Sequence, residues 1–291
     1  MKSIKHILVI PVFNDWRSLN KLLTNINSTF VNQKMVKNEI LIINDNSTQK
    51  ININRKKYRA IKKINIITLY KNFGSQKAIA IGLKYLKKRK DKFFITVMDG
   101  DGEDGPKNIK KMLSQSLAHN DYIITSNRLK REESWVVVLL YKIHLSITYF
   151  FTLKWISFGN FSTFHNKNLI NLLSNNSSWF AHSSSVLKNC KIKRIYSKRE
   201  KRYYDKSKLG LLSLVEHSLR VNAVFSKNIF FMSIIYILIL TYFVPKHLNY
   251  VFIILIFSFN ISVHFIRFKH WIENLSKINK FIKKNTLFVA S

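Results

Sequence analysis

The chain opens as an alternation of short apolar runs and amphipathic segments. An apolar run over residues 4–12 reads as a buried strand and closes on the turn Pro11-Val12-Phe13-Asn14-Asp15. Trp16, Leu19, Leu22, Leu23 and Ile26 then recur at helical spacing. A second strand over 39–43 ends in Asn44-Asp45-Asn46-Ser47-Thr48, and a third over 64–70 ends in Lys71-Asn72-Phe73-Gly74-Ser75-Gln76. A helix over 76–88 leads to a fourth strand, 93–98, which runs into Asp99-Gly100-Asp101-Gly102-Glu103-Asp104-Gly105-Pro106. Ile109, Met112, Leu113 and Leu117 mark the next helix. Pro106 stands at its first position, where a missing N–H costs no intrahelical bond. One more short strand, 122–126, ends near Arg128. Strands alternating with helices predict an α/β domain on a mostly parallel sheet with right-handed crossovers. Such sheets bind ligands beyond the carboxyl ends of their strands, and every polar cluster named here falls at such an end.

The pattern changes after residue 226. Residues 229–244 carry no charge, Pro245-Lys246-His247 interrupts, and 248–266 is a second uncharged run. A bilayer span takes about 20 apolar residues, with about 17 tolerated. The first run reaches that length if Lys227 snorkels and Val224-Phe225 join it. The expected organisation is the α/β domain over 1–226, transmembrane helices over about 227–244 and 248–266, and a basic cytoplasmic tail over 268–291. A buried helical hairpin is the alternative. Lys206, Lys208 and Lys227 precede the hairpin and Arg267, Lys269, Lys277, Lys280, Lys283 and Lys284 follow it, whereas the connecting loop carries one Lys. By the positive-inside rule the loop lies outside and both chain ends lie in the cytoplasm, with the basic flanks on anionic headgroups. Residues 135–153 are also apolar but contain Lys142 and His144, so they read as a helix lying at the interface rather than a third span.

Charge sharpens one of these features. Lys plus Arg number 49 against 15 Asp plus Glu, a formal charge of +34. A polyanionic partner is one reading of that balance. Compositional drift is the other, since Lys, Asn, Ile and Phe are abundant together. Against this scarcity of acids, four carboxylates fall in the short loop after the fourth strand: Asp99, Asp101, Glu103 and Asp104. Hard oxygen ligands on such a loop suit Mg²⁺ or Mn²⁺ held between protein and substrate phosphates. An acidic turn is the bland alternative. The basic, Tyr-containing stretch 191–208 reads equally as a solvated face or a phosphate-binding loop. Cys190, the single cysteine, excludes an internal disulfide and a cysteine-rich zinc site. The nine histidines show no ligand spacing, and there is no nucleophile elbow, phosphate-binding G-x-x-x-x-G-K loop, signal peptide or internal repeat.

Pro11-Val12-Phe13-Asn14-Asp15 is similar to the P-V-Y-N-E opening of family 2 glycosyltransferases, Asn44 to Thr48 to their D-D-G-S-T turn, and Asn72-Phe73-Gly74 to their R-N-F-G segment. The loop from Asp99 to Pro106 resembles the D-A-D-L-Q-D-P-P of polyprenyl-phosphate sugar synthases, such as dolichol-phosphate mannose synthase and the bactoprenol glucosyltransferases. Arg199, Arg202, Ser207 and Lys208 fit R-x-x-R-x-x-G-x-S-K, and Phe158-Gly159-Asn160-Phe161 resembles a G-D-F segment. The departures are Asp15 for Glu, Asn44 for the first Asp of the turn, Glu103 for Gln, Asp205 for Gly and Asn160 for Asp.

The resemblance implies a GT-A fold and inverting transfer from a nucleotide-diphosphate sugar. Asp99, Asp101 and Glu103 would hold the Mg²⁺ or Mn²⁺. Pro11, Phe13, Asn14, Asp15, Asp45, Gly74 and Gly100 would line the nucleotide sugar, with Asp45 accepting from the base and Arg128 facing the phosphates. Asn160, Arg199, Arg202, Ser207 and Lys208 would receive the acceptor phosphate. The catalytic set is Asp99, Asp101, Asp104 and Arg128, with Asp104 the base if the acceptor is a sugar hydroxyl. The expected acceptor is polyprenyl phosphate, reached from a multi-pass position in the cytoplasmic membrane. A same-fold transferase extending a lipid-linked saccharide or envelope glycan is the alternative, favoured by Asn160. A non-enzymatic basic membrane protein binding nucleic acid is the remote one. No RNA-binding fold surrounds 191–208, so nucleic acid is not an expected partner, and homo-oligomerisation stays open.

Overall fold

The computed structural model describes residues 3–53, 58–128, 135–198, 200–204, 210–271 and 275–289. Its first half follows the apolar pattern: β1 (Ile4–Val12), α1 (Trp16–Phe30), β2 (Val36–Asn44), β3 (Ile61–Leu69), α2 (Ser75–Leu86), β4 (Phe94–Val97), α3 (Pro106–Ala118) and β5 (Tyr122–Arg128). Then come α4 (Trp135–Thr152), β6 (Phe158–His165), α5 (Leu169–Leu172), α6 (His182–Asn189), β7 (Lys191–Ser197), α7 (Leu211–Ala223), α8 (Ser226–Phe243), α9 (Lys246–Trp271) and β8 (Ile282–Val289).

The strands form one sheet in the order β7-β5-β6-β4-β1-β2-β3-β8, with β6 and β8 antiparallel to their neighbours and the remaining pairings parallel. Both faces are covered, which is why the central strands read as continuous apolar runs. Successive side chains point to opposite faces. Ile7 and Val9 therefore join α2 residues Ile79, Ile81 and Leu83 in one core. Leu8 and Ile10 join Leu19, Leu22 and Ile26 of α1 and Ile109 and Met112 of α3 in the other. Gly82 lets α2 approach closely, since a Cβ there would stand 3.0 Å from Val9 and 3.1 Å from Ile43. Within the sheet His6 is buried between Asn38 Oδ1 at 2.9 Å and Thr96 Oγ1 at 2.8 Å, and burial lowers its pKa to about 4.

Two expectations are corrected. The stretch 282–289 is not a tail: β8 pairs antiparallel with the edge of β3, and Ile278 and Phe281 before it enter the core beside α2. Its lysines concealed it, because an edge strand tolerates charge on its outer face. Residues 191–197 of the basic stretch form β7, parallel to β5 at the opposite edge, rather than a loop.

Ser226–Phe243 and Lys246–His270 are long and apolar enough to cross a membrane, with mean hydropathy 1.6 and 2.0, yet they are only 17% and 11% buried. A core helix of that composition would be covered, so the two helices associate the chain with a membrane. They run antiparallel, joined by Asn260 Nδ2 to Ser233 Oγ at 2.7 Å and by Arg267 to Ser226. The end of α4 docks on them: Phe150 stacks on Tyr236 with ring centroids 4.0 Å apart, and Phe151 meets Phe259 at 4.8 Å. Trp135, Leu139, Ile143 and Ile147 of α4 stay exposed.

Candidate active site

The turns after β1, β2 and β3 lock one another together. Asn14 adopts φ 48, a left-handed conformation its short polar side chain tolerates. Its Oδ1 accepts from the backbone N–H of Thr48 at 2.9 Å and Gln49 at 3.1 Å, and its own N–H donates to Ser47 Oγ at 2.9 Å. Asp45 is buried, and its two carboxylate oxygens accept from the N–H groups of Phe73 and Gly74, each at 2.8 Å. Burial raises its pKa, while these two bonds and the charge of Lys77 pull it down. Asp45 thus braces the Asn72-Phe73-Gly74 turn, and each of its oxygens keeps a further acceptor site. Gly74, at φ 85, supplies the bend. Pro11 is buried in β1 and Gly100 packs against it, a Cβ at 100 falling 3.4 Å from the Pro11 carbonyl oxygen. Phe13 is 43% exposed and presents a ring beside these turns.

The acidic loop follows β4. Asp104 is buried and its Oδ2 accepts from the Asp99 N–H at 3.3 Å, which braces the loop. Asp101 is pushed up to about 6 by burial first and then by the charges of Asp99 and Glu103, against the Glu103 N–H and Arg202. Across the loop lies the segment 200–204. Glu200 N–H donates to Glu103 O and Tyr203 N–H to Asp101 O, each at 3.0 Å. The Tyr203 ring covers Gly102, where φ is 91 and a Cβ would fall 2.3 Å from the ring, and its hydroxyl accepts from Asn25 Nδ2 at 2.7 Å. Arg202 then bridges two carboxylates, Asp101 Oδ2 at 3.2 Å and Asp15 Oδ2 at 3.4 Å, while Asp15 Oδ1 caps α1 through the Ser18 N–H.

Asn160, at the start of β6, completes the centre. Its Nδ2 donates to Asp99 Oδ1 at 3.0 Å and its Oδ1 accepts from Gln76 Nε2 at 3.0 Å. Gln76 Oε1 in turn accepts from the His182 N–H at 2.7 Å. The carboxylate can only accept and the backbone N–H can only donate, so both amide orientations are fixed by the ends of the chain. An Asp at 160 could not make this bond without a proton.

Residues 7–184, more than half of the chain, match the profile of the glycosyl transferase family 2. The chain belongs to that family. Over 117 residues it is 30% identical to a dodecaprenyl-phosphate galacturonate synthase of Rhizobium johnstonii, covering 40% of this chain and 33% of that protein. Over 135 residues it is 25% identical to an uncharacterized glycosyltransferase of Synechocystis, covering 46% of this chain and 41% of that one. The chain thus matches well under half the length of these relatives. Among solved structures, mannosyl-3-phosphoglycerate synthase from Rubrobacter xylanophilus is 14% identical with a TM-score of 0.51, over 78% of this chain and 74% of that one. Glucosyl-3-phosphoglycerate synthase from Mycobacterium tuberculosis, in complex with Mn²⁺ and UDP-glucose, is 14% identical with a TM-score of 0.51, over 77% and 79%. These likenesses show the GT-A fold.

For this family 2 chain the acidic loop can be tested as a cation site. Among the described residues no three His, Cys, Asp or Glu side chains gather as a preformed cage. Asp101 nevertheless feels Asp99 and Glu103 as like charges, and a guanidinium already lies against it. Hard oxygens that destabilise one another and draw in a cation fit a divalent metal whose remaining ligands come from substrate oxygens. Arg128 closes β5, paired in register with Ser197. Its side chain, and Arg199, Ser207 and Lys208, lie outside the described residues. Gln76 and Asn25 are not evident as site residues from the sequence, and Tyr203 reads there only as an aromatic of the basic stretch. Gln76 alone had a signal, its place in the first turn of a helix at a strand end.

Proposed function

We propose that the chain transfers a sugar, with inversion, from a nucleotide-diphosphate donor to a polyprenyl phosphate at the cytoplasmic face of a membrane crossed by α8 and α9. The observation that carries this is the engagement of the loop carboxylates: Asp99 is held by Asn160, Asp101 by Arg202, and Asp104 by the loop itself. Each of these three already accepts a hydrogen bond or ion pair, which favours an acceptor that needs no base over a hydroxyl. A phosphate acceptor needs none, because it is already anionic at neutral pH. The name of the Rhizobium relative points the same way.

Phe13, Asn14 and Asp15 would line the nucleotide on a floor made by Pro11 and Gly100, with Gly74 at its side. Asp99, Asp101 and Glu103 would hold Mg²⁺ or Mn²⁺, which when bound supplies positive charge to the departing diphosphate. Arg202 would turn from Asp101 toward phosphate oxygens, and Arg128, Arg199, Ser207 and Lys208 would join it. The Gln76–Asn160 relay orients Asp99 before substrate arrives, so catalysis rests on positioning and on charges already in place. Both ends of the hairpin return to the α/β domain, α7 against α6 before it and β8 at the sheet edge after it, which supports an orientation with both on the cytoplasmic side.

The test is nucleotide release by the full chain in detergent, with Mn²⁺ or Mg²⁺, undecaprenyl phosphate and a panel of UDP- and GDP-sugars. Release that needs metal and lipid phosphate and is lost in Asp101→Ala is expected. Release without the lipid, or none from any donor, overturns the assignment.

A further inference from the structure

Where the catalytic domain meets the hairpin, three basic side chains from three elements converge. Lys188, near the end of α6, donates from Nζ to the Val224 carbonyl at 2.6 Å. Arg267, late in α9, donates from Nη1 to the Ala223 carbonyl at 3.4 Å and to Ser226 Oγ. Lys227 follows Ser226 in the first turn of α8 and is exposed. The charges of Arg267 and Lys227 reach Lys188, whose pKa is lowered by burial first and by those two cations after it. The ion pairs among the described residues involve none of the three; nearby Glu216 faces Lys269 and His270 instead.

Capping accounts for part of this arrangement. Ala223 and Val224 lie at the carboxyl end of α7, and basic side chains favour such carbonyls. A helix terminus offers only about half a negative charge, however, against three positive ones. Apolar surface begins at once beside the cluster: Phe230 and Phe231 of α8 and Phe268 of α9 are more than half exposed. Cations ringed by uncovered aromatic side chains at the foot of an apolar hairpin match the depth at which lipid phosphates lie.

We propose that Lys188, Lys227 and Arg267 form a binding site for the phosphate of an anionic membrane phospholipid. This rests on the reading of α8 and α9 as membrane-crossing. The guanidinium fork takes two phosphate oxygens and the ammonium groups act as point charges beside it. Lys188 belongs to the catalytic domain and the other two to the hairpin, so a bound headgroup ties one to the other. Polyprenyl phosphate carries the same chemistry. Six residues of α6, about 9 Å of helix, separate Lys188 from His182, where the relay to Asp99 begins. That separation assigns the site to a bulk lipid rather than to the reacting acceptor.

The experiment uses the full chain in nanodiscs of phosphatidylcholine, alone or mixed with phosphatidylglycerol, and native mass spectrometry to count retained lipids. The unaltered chain is expected to retain phosphatidylglycerol preferentially. Lys188→Gln with Arg267→Gln should weaken that retention about fivefold per charge, the equivalent of about 1 kcal/mol for each basic residue at an anionic surface. Should the double variant fail to fold, Lys227→Gln alone, which disturbs no capping bond, should show the single-charge loss. Equal retention by unaltered and substituted chains overturns the proposal. So does displacement of phosphatidylglycerol by undecaprenyl phosphate together with a raised KM for that lipid in the variants, which would give the cations to the acceptor. An alkaline carbonate wash is run in parallel. Release of the unaltered chain from membranes would defeat the crossing hairpin itself, whereas a retained chain without lipid preference defeats only the headgroup site.

Discussion

At the strand ends four carboxylates crowd one loop; at the hairpin foot three cations crowd one helix terminus. The chain answers the first cluster from within, through Arg202, the Asn160 amide and backbone N–H groups. Among the described residues it answers the second with two carbonyls, a hydroxyl and the Phe225 ring beside Lys188. Like charges met by fixed partners are held in one geometry before any ligand arrives, which is what electrostatic catalysis requires. Like charges left to the surroundings make a contact that depends on what the surroundings supply.

The largest effect expected from breaking the answered cluster is that of Asp101→Ala. It removes the carboxylate that pairs with Arg202 and belongs to the proposed cation site, and turnover should fall by about 10² to 10³, in the range of losing a main stabiliser of developing charge. Circular dichroism should show the fold retained. Acid should act elsewhere first, on the interior. His6 and His182 are buried and neutral, each with its pKa lowered to about 4. In the unfolded chain they take a proton near pH 6.5, so their contribution is complete above that value and fades as pH falls toward 4. Denaturant titration should show a loss of about 2 kcal/mol for each by pH 5. Asn160→Asp should slow turnover about tenfold, because a second carboxylate would face Asp99 across a 3.0 Å contact and one would have to take a proton. That deficit should shrink at lower pH. Gly102→Ala should cost about 1 kcal/mol, read as a lower Tm, since φ 91 and the Tyr203 ring both oppose a Cβ.

What the sequence disclosed follows from how each feature is built. β1 to β4 were visible because both faces are buried, so Leu8 and Val9 are both apolar although they belong to different cores. The acidic loop was visible because acids are rare in this chain. β8 was not, since Lys283 and Lys284 need bury nothing at an edge. The bracing role of Asp45 was hidden for a related reason: a motif names a residue but not which of its oxygens the backbone engages. The relay was invisible because Gln76, Asn160 and His182 are far apart in the chain and meet only through tertiary packing.

The pairing of β8 with β3 makes synthesis order matter. β3 exposes an open edge of N–H and C=O groups until the hairpin has been made and the last strand returns. Formation of the α8–α9 hairpin is therefore a step in completing the sheet, not an addition to a finished one. A chain stalled before that step carries an unpaired apolar sheet edge, which invites pairing with another copy.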